Sequence, residues 1–303
     1  MAHKSLLECI TYTILLSVSS NATSSFAQNS PSIGRDSNAV IPTNDFDQNS
    51  IEEDYESVAL FNDREFIFST GYDYSSGKFN LPANTNISYI PYSLKYTEGN
   101  VSFRASSGYI TFASPRNVVT AIDGAPLVTD VELTDDERRR NSRKSGFGDI
   151  YLSGTYSIEN PYSNDLFIDL TGRVKIPTAN ENRGLGTGKV DYSVQVDVAY
   201  LYGNFMPFGT LGYRFVGKTA LYDLQNSFYA SIGLAYYLTY DTSIGVSYDY
   251  RESATPGFNS PKEIFAYTDV QLNDHWGINL YGVVGLNNVT TDYGLGTQLR
   301  YKF

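Results

Sequence analysis

The residues best placed to do chemistry are charged side chains that recur at alternate positions. They are Asp149, Asp169, Arg173, Lys175, Asp191, Asp197, Arg214, Asp249, Arg251, Asp269 and Arg300. Acids and bases in this pattern would face one another across a wet interior, where they could act on a passing solute or neutralise each other. Other chemistry is scarce. The chain has one cysteine, Cys9, and two histidines, His3 and His275. One cysteine excludes a disulfide framework and a multi-cysteine metal site. Gly184-Leu185-Gly186-Thr187-Gly188 is glycine-rich, but it opens no helix and no Lys-Ser/Thr follows, so it is not a phosphate loop. No cofactor and no metal is expected.

The elements that hold these charges have a period of two. Leu166, Ile168, Leu170, Gly172, Val174 and Ile176 alternate with Asp169, Thr171, Arg173 and Lys175, with Phe167 the exception. Val190 to Tyr200, Phe228 to Leu238, Ile244 to Tyr250 and Tyr293 to Phe303 repeat the pattern. Strict alternation puts the apolar side chains on one face and the polar ones on the other. Twelve such strands are expected near 65–75, 86–97, 100–113, 148–158, 166–176, 190–202, 205–216, 227–238, 242–251, 262–272, 275–286 and 293–303. Each has about the length that a tilted strand needs to cross a bilayer. Their connections alternate between short and long, as in outer-membrane barrels with short periplasmic turns and longer external loops. The apolar faces end in tyrosines, such as Tyr192 and Tyr200, which fits aromatic girdles at the two interfaces. The expected fold is all-β: a twelve-stranded antiparallel transmembrane barrel over 65–303.

Composition agrees. Of 303 residues, 26 are Tyr, 17 Phe and 1 Trp, while charged residues are only 18%. With 22 basic against 33 acidic residues the net charge is −11, which speaks against a nucleic-acid partner bound through bulk positive charge. Residues 1–27 have the form of a secretory signal, with Lys4, an apolar stretch and cleavage expected after Ala27. Its removal takes His3 and Cys9 and leaves His275 alone. Residues 28–64 lack periodicity and end in Glu52-Glu53-Asp54-Tyr55-Glu56. They read as a flexible periplasmic extension, long enough to fold back as a plug toward Arg173, Arg251 or Arg300. The final Phe303 resembles the signal by which outer-membrane assembly machinery takes up its clients.

A barrel hydrolase would need an imidazole to take the proton of its nucleophile. No expected strand carries a histidine in mid-span, and His275 falls at a periplasmic turn, so the chain is not read as an enzyme. The longest connection, 114–147, contains Asp135-Asp136-Glu137 followed by Arg138, Arg139, Arg140, Arg143 and Lys144. It is either a solvated loop, a basic contact for lipopolysaccharide phosphates, or a lid over the lumen.

Between 145 and 216 the order of motifs is distinctive. Gly146-Phe147-Gly148-Asp149 precedes a strand. Val174-Lys175-Ile176-Pro177-Thr178 ends the next, and the glycine-rich run, Asp191-Tyr192 and Gly212-Tyr213 follow. This resembles the outer-membrane transporter family named for the meta-pathway of phenol degradation. The resemblance implies a barrel that admits small, often aromatic or hydrophobic, compounds in the cell outer membrane; it carries over no binding residue. Passive uptake of a small solute is therefore the leading function. The alternative is a structural or surface-binding barrel with no open channel. Small lumen residues such as Ser231, Gly233 and Ser247 favour open space, whereas Phe208, Tyr229, Tyr237, Phe265 and Tyr267 favour filling.

Overall fold

A computed structural model describes residues 64–79, 84–115, 118–122, 125–128, 141–158, 165–219 and 223–303. The signal at 1–27, the extension to 63 and the run 129–140 with Asp135 to Arg140 lie outside the described residues. The strands are β1 (Arg64–Gly77), β2 (Thr85–Glu98), β3 (Val101–Pro115), β4 (Val118–Ile122), β5 (Ala125–Val128), β6 (Asn141–Phe147), β7 (Ile150–Ile158) and β8 (Leu166–Ile176). They continue as β9 (Asp191–Tyr200), β10 (Phe205–Phe215), β11 (Ser227–Thr239), β12 (Thr242–Arg251), β13 (Lys262–Gln271), β14 (Trp276–Gly285) and β15 (Tyr293–Lys302).

Every neighbouring pair in the wall is antiparallel, and β1 pairs with β15 from Ile67↔Lys302 to Ser76↔Tyr293. That pairing closes the sheet. β6 and β7 occupy one place in the wall, because both pair with β3: β6 along its upper part, β7 along its lower part. The jog between them is Gly148-Asp149, where the Gly148 N–H donates to Gly108 O at 2.9 Å. The result is a closed barrel of twelve strands, in which β6, beyond the end of β7, pairs on one side only among the described residues. Chain reversals alternate between tight turns at one end, such as 240–241, and longer loops at the other, such as 177–190.

One expectation is corrected. The segment 114–147 is not a single long loop. It holds a small hairpin, β4 paired with β5, and β6, which extends the wall beyond the expected start at 148. β6 reads Asn141-Ser142-Arg143-Lys144-Ser145-Gly146-Phe147 and lacks an apolar face. Alternation appears only where one face meets lipid; above that level both faces are wet and the pattern disappears.

The polarity is the reverse of a soluble domain. Leu211 is 58% exposed and Ile232 69%, whereas Asp197 is 0% and Arg300 1% exposed. Apolar side chains point outward around the wall and polar ones point inward, the arrangement of a barrel whose outer band faces lipid. Aromatic pairs cluster near the strand ends on the outer face. Phe66–Tyr96, Phe205–Tyr236 and Trp276–Tyr301 lie at the turn end. Tyr74–Tyr293 and Tyr213–Phe215 lie at the loop end.

Inside, large aromatics lie flat against glycines of the neighbouring strand. Tyr229 faces Gly212, Phe208 faces Gly233, Tyr267 faces Gly245 and Tyr281 faces Gly296, each pair in direct register. A Cβ at any of these glycines would collide with the ring. The rings therefore cover wall rather than project to the axis, which places the bulky Phe208, Tyr229 and Tyr267 along the wall of the lumen. Gly212→Val should push Tyr229 off the wall and cost about 1–3 kcal/mol, the usual range for overpacking. Gly172 is the control, because a Cβ there meets nothing within 4 Å. Urea-dependent refolding into vesicles checks this. Equal midpoints for Gly212→Val and Gly172→Val would contradict the account.

Candidate functional site

The inward residues form rows, because each is paired in register with an inward residue on the next strand. One row runs Val283, Phe265, Ser247, Gly233, Phe208, Ala199 and Phe167. The row beneath runs Tyr281, Tyr267, Gly245, Ala235 and Met206. Their apolar members belong to one buried cluster. The two rows make an apolar band on the lumen wall, near the loop end at β14 and at the turn end at β8. Six strand steps of about 4.8 Å span roughly 29 Å of wall. With strands tilted as barrels require, the band descends about 18 Å toward the turn end.

Directly above the band is an acidic row: Glu263, Asp249, Ser231, Thr210, Asp197 and Asp169. Four rungs farther up β8, at Arg173, runs a basic row that also holds Arg214, Arg104 and Lys95. Lys95 and Arg104 sit on β2 and β3, across the lumen from β11 and β12. The charges expected to pair across strands are thus divided: these two rows segregate by sign, while Lys175 with Asp191 and Arg300 with Asp269 do pair across strands. Asp169, Asp197 and Asp249 have no basic group within ion-pairing distance among the described residues. Asp197 instead accepts from Thr210 Oγ1 at 2.6 Å and from Gln195 Nε2 at 2.7 Å. Asp249 accepts from Ser247 Oγ at 3.1 Å.

Two groupings of the sequence-predicted site residues are ion-paired, besides Arg64–Glu98 and Lys302–Glu65 at the turn end. Below the band, Arg300 Nη1 and Nη2 donate to the two oxygens of Asp269 at 2.6 and 2.9 Å, and Asn279 Nδ2 adds a third bond at 3.1 Å. At the loop end, Lys175 Nζ lies 2.7 Å from Asp191 and 3.4 Å from Asp149, and donates to Thr187 Oγ1 at 3.1 Å. Arg251 is half-buried at the loop end of β12; its N–H donates to Pro261 O at 3.1 Å.

The Lys175 grouping gathers the motif residues of the 145–216 region. Asp149, in the jog outside the strands, accepts the Ala179 N–H at 2.9 Å. Burial pushes its carboxyl above the usual carboxylate range, against the pull of Lys175 and that N–H. Asp191 accepts the Gly217 N–H at 2.8 Å. One buried cation thereby ties the β6–β7 jog, the loop 177–190 and the loop after β10. Within 177–190, a short 3-10 turn (Glu181–Arg183) is capped by Asn180 and ends at Gly184, whose φ of 69° suits glycine. The loop then turns inward. Leu185 and Ala179 pack against Ile87, Tyr89, Ile110 and Phe112, which are lumen-facing residues of β2 and β3. The glycine-rich run is therefore a segment folded into the mouth, while residues 129–140, the middle of the 114–147 segment read as a lid, lie outside the described residues.

Lys95, Arg104 and Glu263 belong to these rows but are missing from the residues singled out by sequence. Their parity was available: Lys95 lies two residues from inward Ser93, and Glu263 six from inward Asp269. His275 is at the turn end, stacked on Tyr301, with Nδ1 2.8 Å from Lys302 O.

No protein-family model matches the sequence and no curated protein does. Solved structures do match in shape. An outer membrane channel from Pseudomonas putida F1 is 12% identical, with a TM-score of 0.57 over 84% of this chain and 100% of that one. The NanC porin is 8% identical, with a TM-score of 0.49 over 78% and 100% of the two chains. The Ralstonia pickettii toluene transporter TbuX is 9% identical, with a TM-score of 0.41 over 79% and 88%. At 12% identity the first likeness shows the fold: a closed antiparallel barrel of the outer-membrane channel type.

Proposed function

We propose that the chain is a passive outer-membrane channel for a small solute. The observation that carries this is the inside-out polarity: an apolar outer face around an interior furnished with charged rows and an aromatic band. A barrel that served only as a membrane anchor would have no need of ordered charge along its axis. The sequence resemblance to the phenol-pathway transporters agrees, and points to small solutes with aromatic or hydrophobic character. In this reading residues 1–27 direct export, 28–63 remain on the periplasmic side, and Phe303 is recognised during assembly. In this reading Arg143, exposed on the outer face of β6, meets lipopolysaccharide phosphates, whereas Lys144, paired with lumen-facing Phe112, points inward.

The second reading, a closed structural barrel, is favoured by one observation: many inward side chains are almost inaccessible, Asn279 at 0% among them. Swelling of vesicles that contain the refolded chain separates the two. The channel reading expects swelling in small sugars and amino acids, with a sharp decline as solute size increases. Vesicles that never swell, with barrels folded by heat-shifted gel mobility, would favour the closed barrel.

A further inference from the structure

The basic row climbs the barrel from one end to the other. At the turn end it holds Lys302, then Ile67, Lys95 and Arg104, each paired in register with the next. From β7 onward serines alternate with arginines: Ser153, Arg173, Ser193 and, at the loop end of β10, Arg214. No acid stands in this run of the row. Lys95 and Arg104 are direct cross-strand partners, and like charges placed so destabilise a sheet. Acids act on the row from outside it. Glu65 lies 3.2 Å from Lys302, Glu65 and Asp169 attract Lys95, and Arg173 attracts Asp197.

Three of these cations meet at one cavity. Lys95, Arg104 and Arg173 line it together with Ser153, which stands between the two arginines. Two strand spacings separate Arg104 from Arg173, about 10 Å, and the short serine leaves room between them. Toward the turn end the cavity is bounded by the hydroxyls of Ser102, Thr155 and Thr171, in register with one another one inward step below the cations. Thr155 and Thr171 share a hydrogen bond of 2.9 Å. That bond uses one hydroxyl proton of the two and leaves the other to donate elsewhere. No carboxylate among the described residues lines the cavity.

This lining sets the sign of an occupant. A cation would meet like charges from three strands, whereas an anion meets three opposite charges and hydroxyl donors. The free volume, about 10 Å³, is close to the least that admits one water. It suits a single small ion and has no space for a solute with a body. Chloride is slightly larger than water, and the half-buried end of Arg173 can yield that much.

We propose that the cavity between β2, β3, β7 and β8 binds one small inorganic anion of the halide class. The anion offsets the repulsion between Lys95 and Arg104. With Arg214 above it and Lys302 below, the site is a station on a path for anions through the barrel. The path rests on the channel reading; the site stands whether or not the barrel conducts.

The test is chlorine NMR of residues 28–303, folded in a nonionic detergent at low salt. Chloride held by a slowly tumbling barrel relaxes fast, and exchange with the bulk broadens the line. The wild type is expected to broaden it, and added bromide to reverse the effect. Arg173→Gln is expected to weaken chloride binding about tenfold, the loss of one charge-assisted hydrogen bond. Arg143→Gln removes the same charge from the exposed outer face of β6 and is expected to leave binding within about twofold, because salt screens distant charges. No excess broadening by the wild type, or equal losses in the two variants, would overturn the proposal. The wild-type result stands even if Arg173→Gln does not fold. Chloride binding by a barrel that never conducts would refute the channel and leave the site standing. Conductance without chloride binding would do the reverse.

Discussion

Lys175→Met is expected to release the loop 177–190 from the mouth of the barrel. The Lys175 ammonium is buried, and it is the cation that faces both Asp149 and Asp191 in the grouping at the rim. Its loss leaves two carboxylates without their counter-charge in a site from which water is largely excluded. Breaking a buried ion pair from one side costs about 3–5 kcal/mol, and loop release is the cheapest way to let water reach these acids. Trypsin should then cut after Arg183 and Lys189 far faster than in the wild type; both are already exposed, so the change reports backbone freedom rather than access alone. Restoring neutrality with Lys175→Met/Asp149→Asn/Asp191→Asn should recover most of the protection, because asparagine oxygens can still accept the Ala179 and Gly217 N–H groups. Unchanged cleavage in the single variant would mean that Leu185 and Ala179 hold the loop by packing on β2 and β3 without the ions.

The second large effect is expected at Arg300. Its guanidinium reaches from β15 across β14 to Asp269 on β13, and the strand it crosses presents Gly277 at that point. A Cβ on Gly277 would meet the guanidinium, so the glycine is what lets the pair span two strand spacings. Arg300→Met should cost about 3–5 kcal/mol, since Asp269 is left buried with only Asn279 as a partner. Gly277→Ala should destabilise in the same direction by a smaller amount. Asp269→Asn/Arg300→Met should lie well above Arg300→Met in urea-dependent refolding. A double variant no better than the single one would show that the cost arises from lost packing of the arginine stem, not from a stranded charge.

The wall was largely legible from sequence and the interior was not. β8 illustrates the first point. Ile168 to Ile176 alternates because its two faces meet different media, and every residue from Asp169 to Lys175 points as its parity requires. β6 illustrates the limit: with water on both sides, Asn141 to Phe147 carries no pattern to read. The rows were out of reach for a different reason. That Asp169 faces Asp197, or that Phe265 continues into Phe208, depends on registers accumulated over several strands, and alternation within one strand fixes facing but not height. The inward fold of 177–190 was hidden similarly, since the glycines and Lys175 suggested a rim cluster while the Leu185 partners come from β2 and β3, some hundred residues earlier.

The most direct test of the channel is single-channel recording from refolded residues 28–303 in a planar bilayer with a potassium chloride gradient. The account predicts discrete steps of small conductance and larger steps in Lys175→Met. A folded barrel that inserts and stays silent in both the wild type and Lys175→Met would contradict it.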